Sequence, residues 1–287
     1  MRLIRFSHDG GPVQPGLLID GKAVALADLL GPDAPTDART AIARWPEIAP
    51  RLVGADGSNG HPLDAVRLHC PLESAQKMMA IGLNYADHIE EARDVGLTIP
   101  TEQVWFNKVP TALSGPFDTI QLPRVSSALD YEVELVAVIG KGGRHIPVAD
   151  APAHIFGYCV GNDVSVRDWQ TRTTQWILGK SFDTHGPIGP AIVTSDEVGD
   201  PHTLGIRCMV NGEMRQNSNT RHLVFNVWAQ IAELSKVMTL NPGDLIFTGT
   251  PGGVGMAFKP PLWLKAGDVV RCEIDGLGFI ENTVVAE

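Results

Sequence analysis

Apolar residues come along this chain in short runs broken by glycine, proline and aspartate, and few of them recur at helical spacing. In the first part, Leu3 to Phe6, Gly16 to Ile19 and Ala23 to Leu26 carry the pattern of short strands, with Asp20-Gly21 as a hairpin-turn signal. A modest helix is predicted over Thr36 to Leu52, and the polar, turn-rich stretch Gly54 to Pro62 predicts a linker. From about Lys77 the texture changes. Strand-like segments recur at Met78 to Ile81, Val104 to Phe106, Thr119 to Leu122, Val133 to Ile139, Ile155 to Val160 and Ala191 to Thr194. They continue at Ile206 to Val210, Leu245 to Thr248, Val269 to Ile274 and Phe279 to Val285. Only Leu223 to Met238 carries a long helical period, with Val224, Val227, Trp228, Ile231, Leu234 and Ser235 along one face. Many strands and few helices argue against a doubly wound α/β sheet. The expected fold class is mixed and mainly β, with a rolled or sandwiched, largely antiparallel core. The expected division is a small α+β N-terminal domain over 1–70 and a larger domain over 71–287.

Composition narrows the partners more than the fold. The 287 residues are 44% hydrophobic and 20% charged, which is ordinary for a folded chain with a full core. A formal net charge of -10 argues against a nucleic-acid or anionic-membrane partner. It also requires a local positive centre, such as a metal, an arginine or a lysine, wherever an anionic substrate binds. No apolar stretch approaches the roughly 20 residues needed to span a bilayer, and the first ten residues lack the apolar core of a secretion signal. Cys70, Cys159, Cys208 and Cys272 are widely spaced and form no C-x-x-C pair. Cys159 and Cys272 lie in strand-like runs and are expected to be buried thiols, which suits a reducing cytoplasm.

The candidate chemistry centres on Asp130-Tyr131-Glu132-Val133-Glu134, which opens the apolar run ending at Ile139-Gly140. Side chains two apart on a strand share a face, so Glu132 and Glu134 project together where the strand enters the interior. Two adjacent buried carboxylates repel unless one is protonated or a cation sits between them. Paired acids at an exposed strand end can also be solvated surface. Asp163 stands where the run Ile155 to Val160 gives way to Gly161-Asn162-Asp163, and it can complete a three-carboxylate site. Oxygen ligands with positions left open suit Mg²⁺ or Mn²⁺.

Other segments add titratable groups. In Asn84-Tyr85-Ala86-Asp87-His88-Ile89-Glu90-Glu91, His88 and Glu91 are three apart and share a helical face. A carboxylate beside an imidazole raises its basicity, as a general base requires; by spacing alone, an ordinary surface pair is the simpler reading. Lys180, in Gly179-Lys180-Ser181-Phe182-Asp183-Thr184-His185-Gly186-Pro187, can stabilise an oxyanion or sit as a solvated surface charge. The region from Gly179 to Pro190 is too rich in glycine and proline to predict regular structure. Thr250 and the backbone N–H groups of Thr248-Gly249-Thr250-Pro251-Gly252-Gly253 can hold an anionic oxygen or serve only a tight turn. Arg167 and Gln170, three apart, can clasp a substrate carboxylate, and Arg167 can equally pair with Asp168 or Asp163.

Taken in order, these blocks resemble the fumarylacetoacetate hydrolase superfamily over roughly Met78 to Val285. The blocks are the strand-turn-His-x-x-Glu segment, the Glu-x-Glu strand, Asn-Asp-Val-Ser-x-Arg-Asp-x-Gln, Gly-Lys-Ser-Phe-Asp-Thr, Val210-Asn211-Gly212-Glu213 and Thr-Gly-Thr-Pro. Trp105-Phe106-Asn107-Lys108, Pro242-Gly243-Asp244 and Lys259 to Asp268 look like the bacterial acylpyruvate and 2,4-diketo acid hydrolases within it. The resemblance implies a β-roll-like catalytic domain, bound Mg²⁺ or Mn²⁺ and a homodimer. It also implies Glu132, Glu134 and Asp163 as metal ligands, His88 and Glu91 as a water-activating dyad, and Lys180 as the stabiliser of developing negative charge. Arg167, Gln170 and Thr250 fall on substrate-pocket positions. Two residues depart from the pattern: His185 stands where relatives often have phenylalanine, and Gly252-Gly253 replaces a more usual Pro-Gly or Ser-Gly.

The expected activity is metal-dependent hydrolysis of a carbon–carbon bond in an acylpyruvate or 2,4-diketo acid, giving pyruvate and a carboxylic acid. The alternative uses the same metal-enolate pocket without water addition, as an oxaloacetate-type decarboxylase or a dioic-acid isomerase. A binding protein without turnover is the reading from a different class, and the presence of His88, Glu91 and Lys180 disfavours it.

Overall fold

The computed structural model describes residues 1–86 and 101–287. Its first strands are β1 (Arg2–His8), β2 (Gln14–Ile19), β3 (Lys22–Ala25), β4 (Val66–His69), β5 (Met78–Gly82), β6 (Val104–Lys108) and β7 (Val133–Ile139). They are followed by β8 (Ile155–Asn162), β9 (Gly186–Thr194), β10 (Gly205–Val210), β11 (Glu213–Asn219), β12 (Leu245–Phe247), β13 (Val269–Ile274) and β14 (Gly278–Ala286). The large sheet runs β3-β2-β1-β9-β8-β7-β12-β5-β6, and β4 branches from it by pairing with β1. A second sheet runs β11-β10-β13-β14 and ends on the short Ile120–Leu122 strand. The fold is mainly β with few helices. Most pairings are antiparallel; β12 with β5 and β14 with Ile120–Leu122 are parallel.

β7 explains why its sequence is an unbroken apolar run. Val133, Leu135, Ala137 and Ile139 enter the core between the two sheets, while Val136 and Val138 enter the core against the N-terminal region. A strand covered on both faces has no polar side to show. Each valine, leucine or isoleucine side chain among them contributes about 1.5–3 kcal/mol on burial. Glu134 lies on the face of Val136 and Val138, and Glu132 precedes the strand on the same parity. In the antiparallel register Val133 opposes Asn162 and Glu134 opposes Gly161. The start of β7 therefore lies beside the end of β8, and Asp163 emerges next to Glu132, its N–H donating to the Glu132 carbonyl at 2.9 Å.

Several expectations change in the structure. The helix predicted over Thr36 to Leu52 is broken into Ala38–Ala43, Trp45–Ile48 and a 3-10 turn at Ala49–Leu52. Pro46 and Pro50 lack the N–H a continuous helix needs and restrict the residues before them. Asp37 caps the first piece by accepting from the Thr40 N–H at 2.7 Å. The predicted linker is not free along its whole length, since His61–Pro62 pairs with β3. The N-terminal strands share the large sheet, with Arg2 and Leu3 opposite Val193 and Ile192. The later helix spans Val227–Val237 and starts at Asn226, whose side chain accepts from the Ala229 N–H at 2.9 Å. Val224 lies before that cap, 42% exposed, off the apolar face assigned to it. Gly186 to Pro190, expected to be irregular, is the first half of β9. Its glycines and prolines are accommodated by an irregular register against β8 between Tyr158 and Val160.

Candidate active site

Glu132, Glu134 and Asp163 are all buried and each offers one oxygen within 4.8 Å of the others. The strand parity and the β7/β8 register produce this convergence, as the sequence reading anticipated. Two lysines are threaded into the cluster. Lys180, at the end of the Ile177–Lys180 helix, donates to Glu132 Oε2 at 2.6 Å and Asp163 Oδ2 at 2.7 Å. Its ammonium also lies 4.8 Å from the centre of the Phe106 ring. Lys108, closing β6, donates to Asp163 Oδ1 at 2.6 Å, to the Val164 carbonyl at 3.2 Å and to the Lys180 carbonyl. Lys180 is thus a buried ion-pair partner of two carboxylates, which rules out solvated surface.

Arg167 occupies the next layer. Its Nε donates to Asp130 Oδ2 at 2.8 Å, and its Nη1 lies 2.7 Å from Glu132 Oε1 and 2.9 Å from Gln170 Oε1. The one-turn helix Arg167–Gln170 brings Arg167 and Gln170 together as their spacing predicted. The partners of Arg167 are Asp130 and Glu132, instead of the Asp168 or Asp163 considered from sequence. Arg167 Nη2 is buried and has no hydrogen-bond partner among the described residues. Asp130 is a four-way acceptor: besides Arg167 it takes the N–H groups of Tyr131, Gly255 and Met256 at 2.9, 2.7 and 3.0 Å.

The glycine loop after β12 is committed to protein partners. Gly249 N–H donates to Glu134 Oε2 at 2.7 Å. Gly249 has φ +103°, and a Cβ there would lie 2.8 Å from the Asn84 Cβ, so only glycine permits this approach. The Thr250 hydroxyl donates to the Val133 carbonyl at 2.9 Å and accepts from Gln216 Nε2 at 2.8 Å. Gln216 also accepts from the Val133 N–H at 3.0 Å, and Asn162 Oδ1 accepts from the Glu132 N–H at 2.9 Å. These bonds fix the backbone on both sides of the acidic pair. His88 and Glu91 lie outside the described residues.

Charge balance gives the cluster its chemistry. Burial, and then the charges of Asp163 and Glu132, push the Glu134 carboxyl well above the usual carboxylate range, against Lys180 and the Gly249 N–H. Burial opposes the charge on Lys180, but Asp163 and Glu132 together outweigh it and hold that ammonium above its ordinary value. Burial lowers Lys108, with Lys180 adding to the effect and Asp163 opposing it. Three hard oxygen donors, one of them under-compensated by the lysines, fit a divalent cation of the Mg²⁺ or Mn²⁺ type.

Asp130, Lys108, Asn162 and Gln216 carried no role in the sequence reading. Asp130 adjoined the acidic pair, and Lys108 closed an apolar strand, an unusual place for an ammonium group. Those were the available signals. Gln216 gave none, because β11 is polar and its partners are far away in sequence.

Comparison with known proteins agrees with this geometry. Residues 77–285 match the family model described as fumarylacetoacetate (FAA) hydrolase C-terminal. The chain is 46% identical to oxaloacetate tautomerase fahd2, mitochondrial, of Xenopus laevis, over 99% of this chain and 90% of that protein. It is 49% identical to human oxaloacetate tautomerase FAHD2B, mitochondrial, over 78% of this chain and 71% of that one. Among solved structures, a putative HpcE protein from Mycobacterium smegmatis superposes with a TM-score of 0.89 at 37% identity, covering 100% of this chain and 99% of that one. Maleylpyruvate hydrolase from Sphingobium sp. SYK-6, solved with manganese(II) and pyruvate, superposes with a TM-score of 0.82 at 34% identity over the same shares. No described helix is long and apolar enough to cross a membrane. With the family model spanning most of the chain and the acidic cluster in place, this protein belongs to the fumarylacetoacetate hydrolase family.

Proposed function

We propose that this chain is a divalent-metal-dependent enzyme that interconverts the keto and enol forms of an oxaloacetate-type 2-oxo dicarboxylate. The observation that carries the reading is the identity of 46% along almost the whole chain to an oxaloacetate tautomerase, together with an acidic cluster suited to a hard cation. This favours the alternative that used the metal-enolate pocket without water addition over carbon–carbon hydrolysis.

Glu132, Glu134 and Asp163 would hold the cation, which supplies Lewis-acid polarisation of a 2-oxo acid when bound. Lys180, poised between Glu132 and Asp163, stabilises negative charge as it develops on the keto oxygen. Arg167 Nη2 offers a buried donor to a substrate carboxylate, and Gln170 holds the guanidinium in place. Asp130 and Glu132 keep that guanidinium strongly protonated, against the cost of its burial. Tautomerisation then needs one proton taken from C3 and one delivered to oxygen, a task suited to the proposed dyad His88–Glu91. A nucleophilic water, which hydrolysis requires, has no part in it.

The test follows the decay of enol-oxaloacetate by ultraviolet absorbance, with Mg²⁺, with Mn²⁺ and with chelator. Metal-dependent acceleration without release of CO₂ supports the proposal. Stoichiometric CO₂ would make the enzyme a decarboxylase. No effect on the enol, with rapid cleavage of an acylpyruvate to pyruvate, would restore the hydrolase reading, which the likeness to maleylpyruvate hydrolase supports.

A further inference from the structure

We propose that Cys208 and Cys272 form a latent disulfide site, closed by thiol oxidants and independent of the acidic cluster. The two residues face one another directly in the antiparallel register of β10 and β13. Their sulfurs are 3.9 Å apart, both thiols are free and both side chains are fully buried. Directly opposed residues in an antiparallel pair have Cα atoms about 4.5–5.5 Å apart, within the range a disulfide accepts. Closing the sulfur gap to about 2.05 Å therefore asks for side-chain rotation, with the strands left in place.

The step is a two-electron oxidation. Both S–H bonds break, one S–S bond forms, and two protons and two electrons pass to the oxidant. A diazenedicarboxamide such as diamide accepts them as its hydrazine, and a small-molecule disulfide accepts them as two thiols. Burial first, and the neighbouring Cys272 second, push the Cys208 thiol well above its ordinary value, so the thiolate is scarce and the reaction slow. In a reducing setting the pair stays as two thiols and packs as small apolar side chains within the core between the two sheets.

The consequence falls on the support of the glycine loop. β10 leads into β11, which carries Gln216, and Gln216 bonds to Val133, Thr250 and Pro251. A covalent link from β10 to β13 ties that hairpin into the middle of the second sheet. It also restricts the unfolded chain between residues 208 and 272, which raises the unfolding temperature.

The experiment treats the unaltered protein with diamide, blocks remaining thiols and maps the peptides by mass spectrometry. The expected result is a linked pair containing Cys208 and Cys272, lighter by two hydrogens, with an unfolding temperature higher by roughly 5 °C and reversed by dithiothreitol. The Cys70→Ser, Cys159→Ser double variant keeps the link, and Cys272→Ala loses it. Four free thiols after prolonged treatment would overturn the proposal. So would a link that joins Cys70 to Cys159 or joins two chains. Should Cys272→Ala fail to fold, the peptide map of the unaltered chain decides alone.

Discussion

Asp130 and Arg167 meet at 2.8 Å with both side chains buried, and the remaining hydrogen bonds of Asp130 run to the backbone of Tyr131, Gly255 and Met256. The pair therefore joins the guanidinium to the far end of the glycine loop. Asp130→Asn keeps the shape and removes the charge, leaving Arg167 with Glu132 as its anionic partner. Breaking a buried pair in this way is expected to cost about 3–5 kcal/mol of stability, read by denaturant unfolding. Arg167→Lys loses the planar fork. It should raise KM for an oxo dicarboxylate by about tenfold or more, with a smaller change in kcat. An unchanged KM would remove the carboxylate-binding role from Arg167.

Glu134 tests the metal site. In the protein without metal, a third carboxylate buried beside Glu132 and Asp163 is a source of repulsion. Glu134→Gln relieves it, so stability in the presence of chelator should hold within about 1 kcal/mol of the parent or rise. Metal binding should move the other way, with Mn²⁺ affinity falling at least about tenfold, since a ligand charge is gone. Isothermal titration with Mn²⁺, paired with unfolding in chelator, separates the two effects. Equal metal affinity in both proteins would exclude Glu134 as a ligand.

Lys108 is predicted to be structural support for Asp163 and for the Lys180 backbone. Lys108→Met leaves Asp163 Oδ1 and the Val164 carbonyl without their donor. The expected loss is about 3–5 kcal/mol, seen as a lower midpoint in urea. Lys108→Arg should not restore it, because a larger planar guanidinium would have to replace a compact ammonium in a fully buried position.

His185 supplies a pH dependence away from the acidic cluster. Its ring is buried, its Nε2–H donates to the Gln121 carbonyl at 2.8 Å, and Nδ1 has no partner among the described residues. Burial lowers its pKa from 6.5 to about 4, with Lys108 adding to the effect against the Gln121 bond. Between those values the unfolded chain binds more protons than the folded one, so stability falls as pH falls through that window. The full effect is about 3 kcal/mol. His185→Phe, which keeps an aromatic ring and removes the titrating group, should flatten the stability curve between pH 6.5 and 4. An identical slope in the two proteins would show that another group controls acid unfolding.

The parts of the site that follow strand parity were legible in advance. Glu132 and Glu134 share a face because a strand alternates, and Asp163 joins them because an apolar run ends just before it. Lys180 and Arg167 were found as residues, but their partners were not, since those partners depend on how distant segments cross. Thr250 shows the limit most clearly. Its position beside the site was foreseen, while its hydroxyl is occupied by Val133 and Gln216, and no spacing rule connects residues 133, 216 and 250. Strand boundaries failed where glycine and proline were taken as breaks, as in Gly186 to Pro190, which a neighbouring strand holds extended. The helix over Thr36 to Leu52 failed because Pro46 and Pro50 divide it into shorter pieces.

The two-sided packing of β7 ties chemistry to assembly of the sheet. A slip of one residue against β8 would turn Glu134 away from Asp163 and put Val133 in its place. It would also exchange the side chains delivered to two separate cores, so the slipped arrangement has no stable home. Cation capture should therefore be all-or-none with native folding, and a partly assembled chain should bind such an ion no better than scattered acids do. An ion-sensitive signal during refolding would serve as a clock for the moment this strand locks.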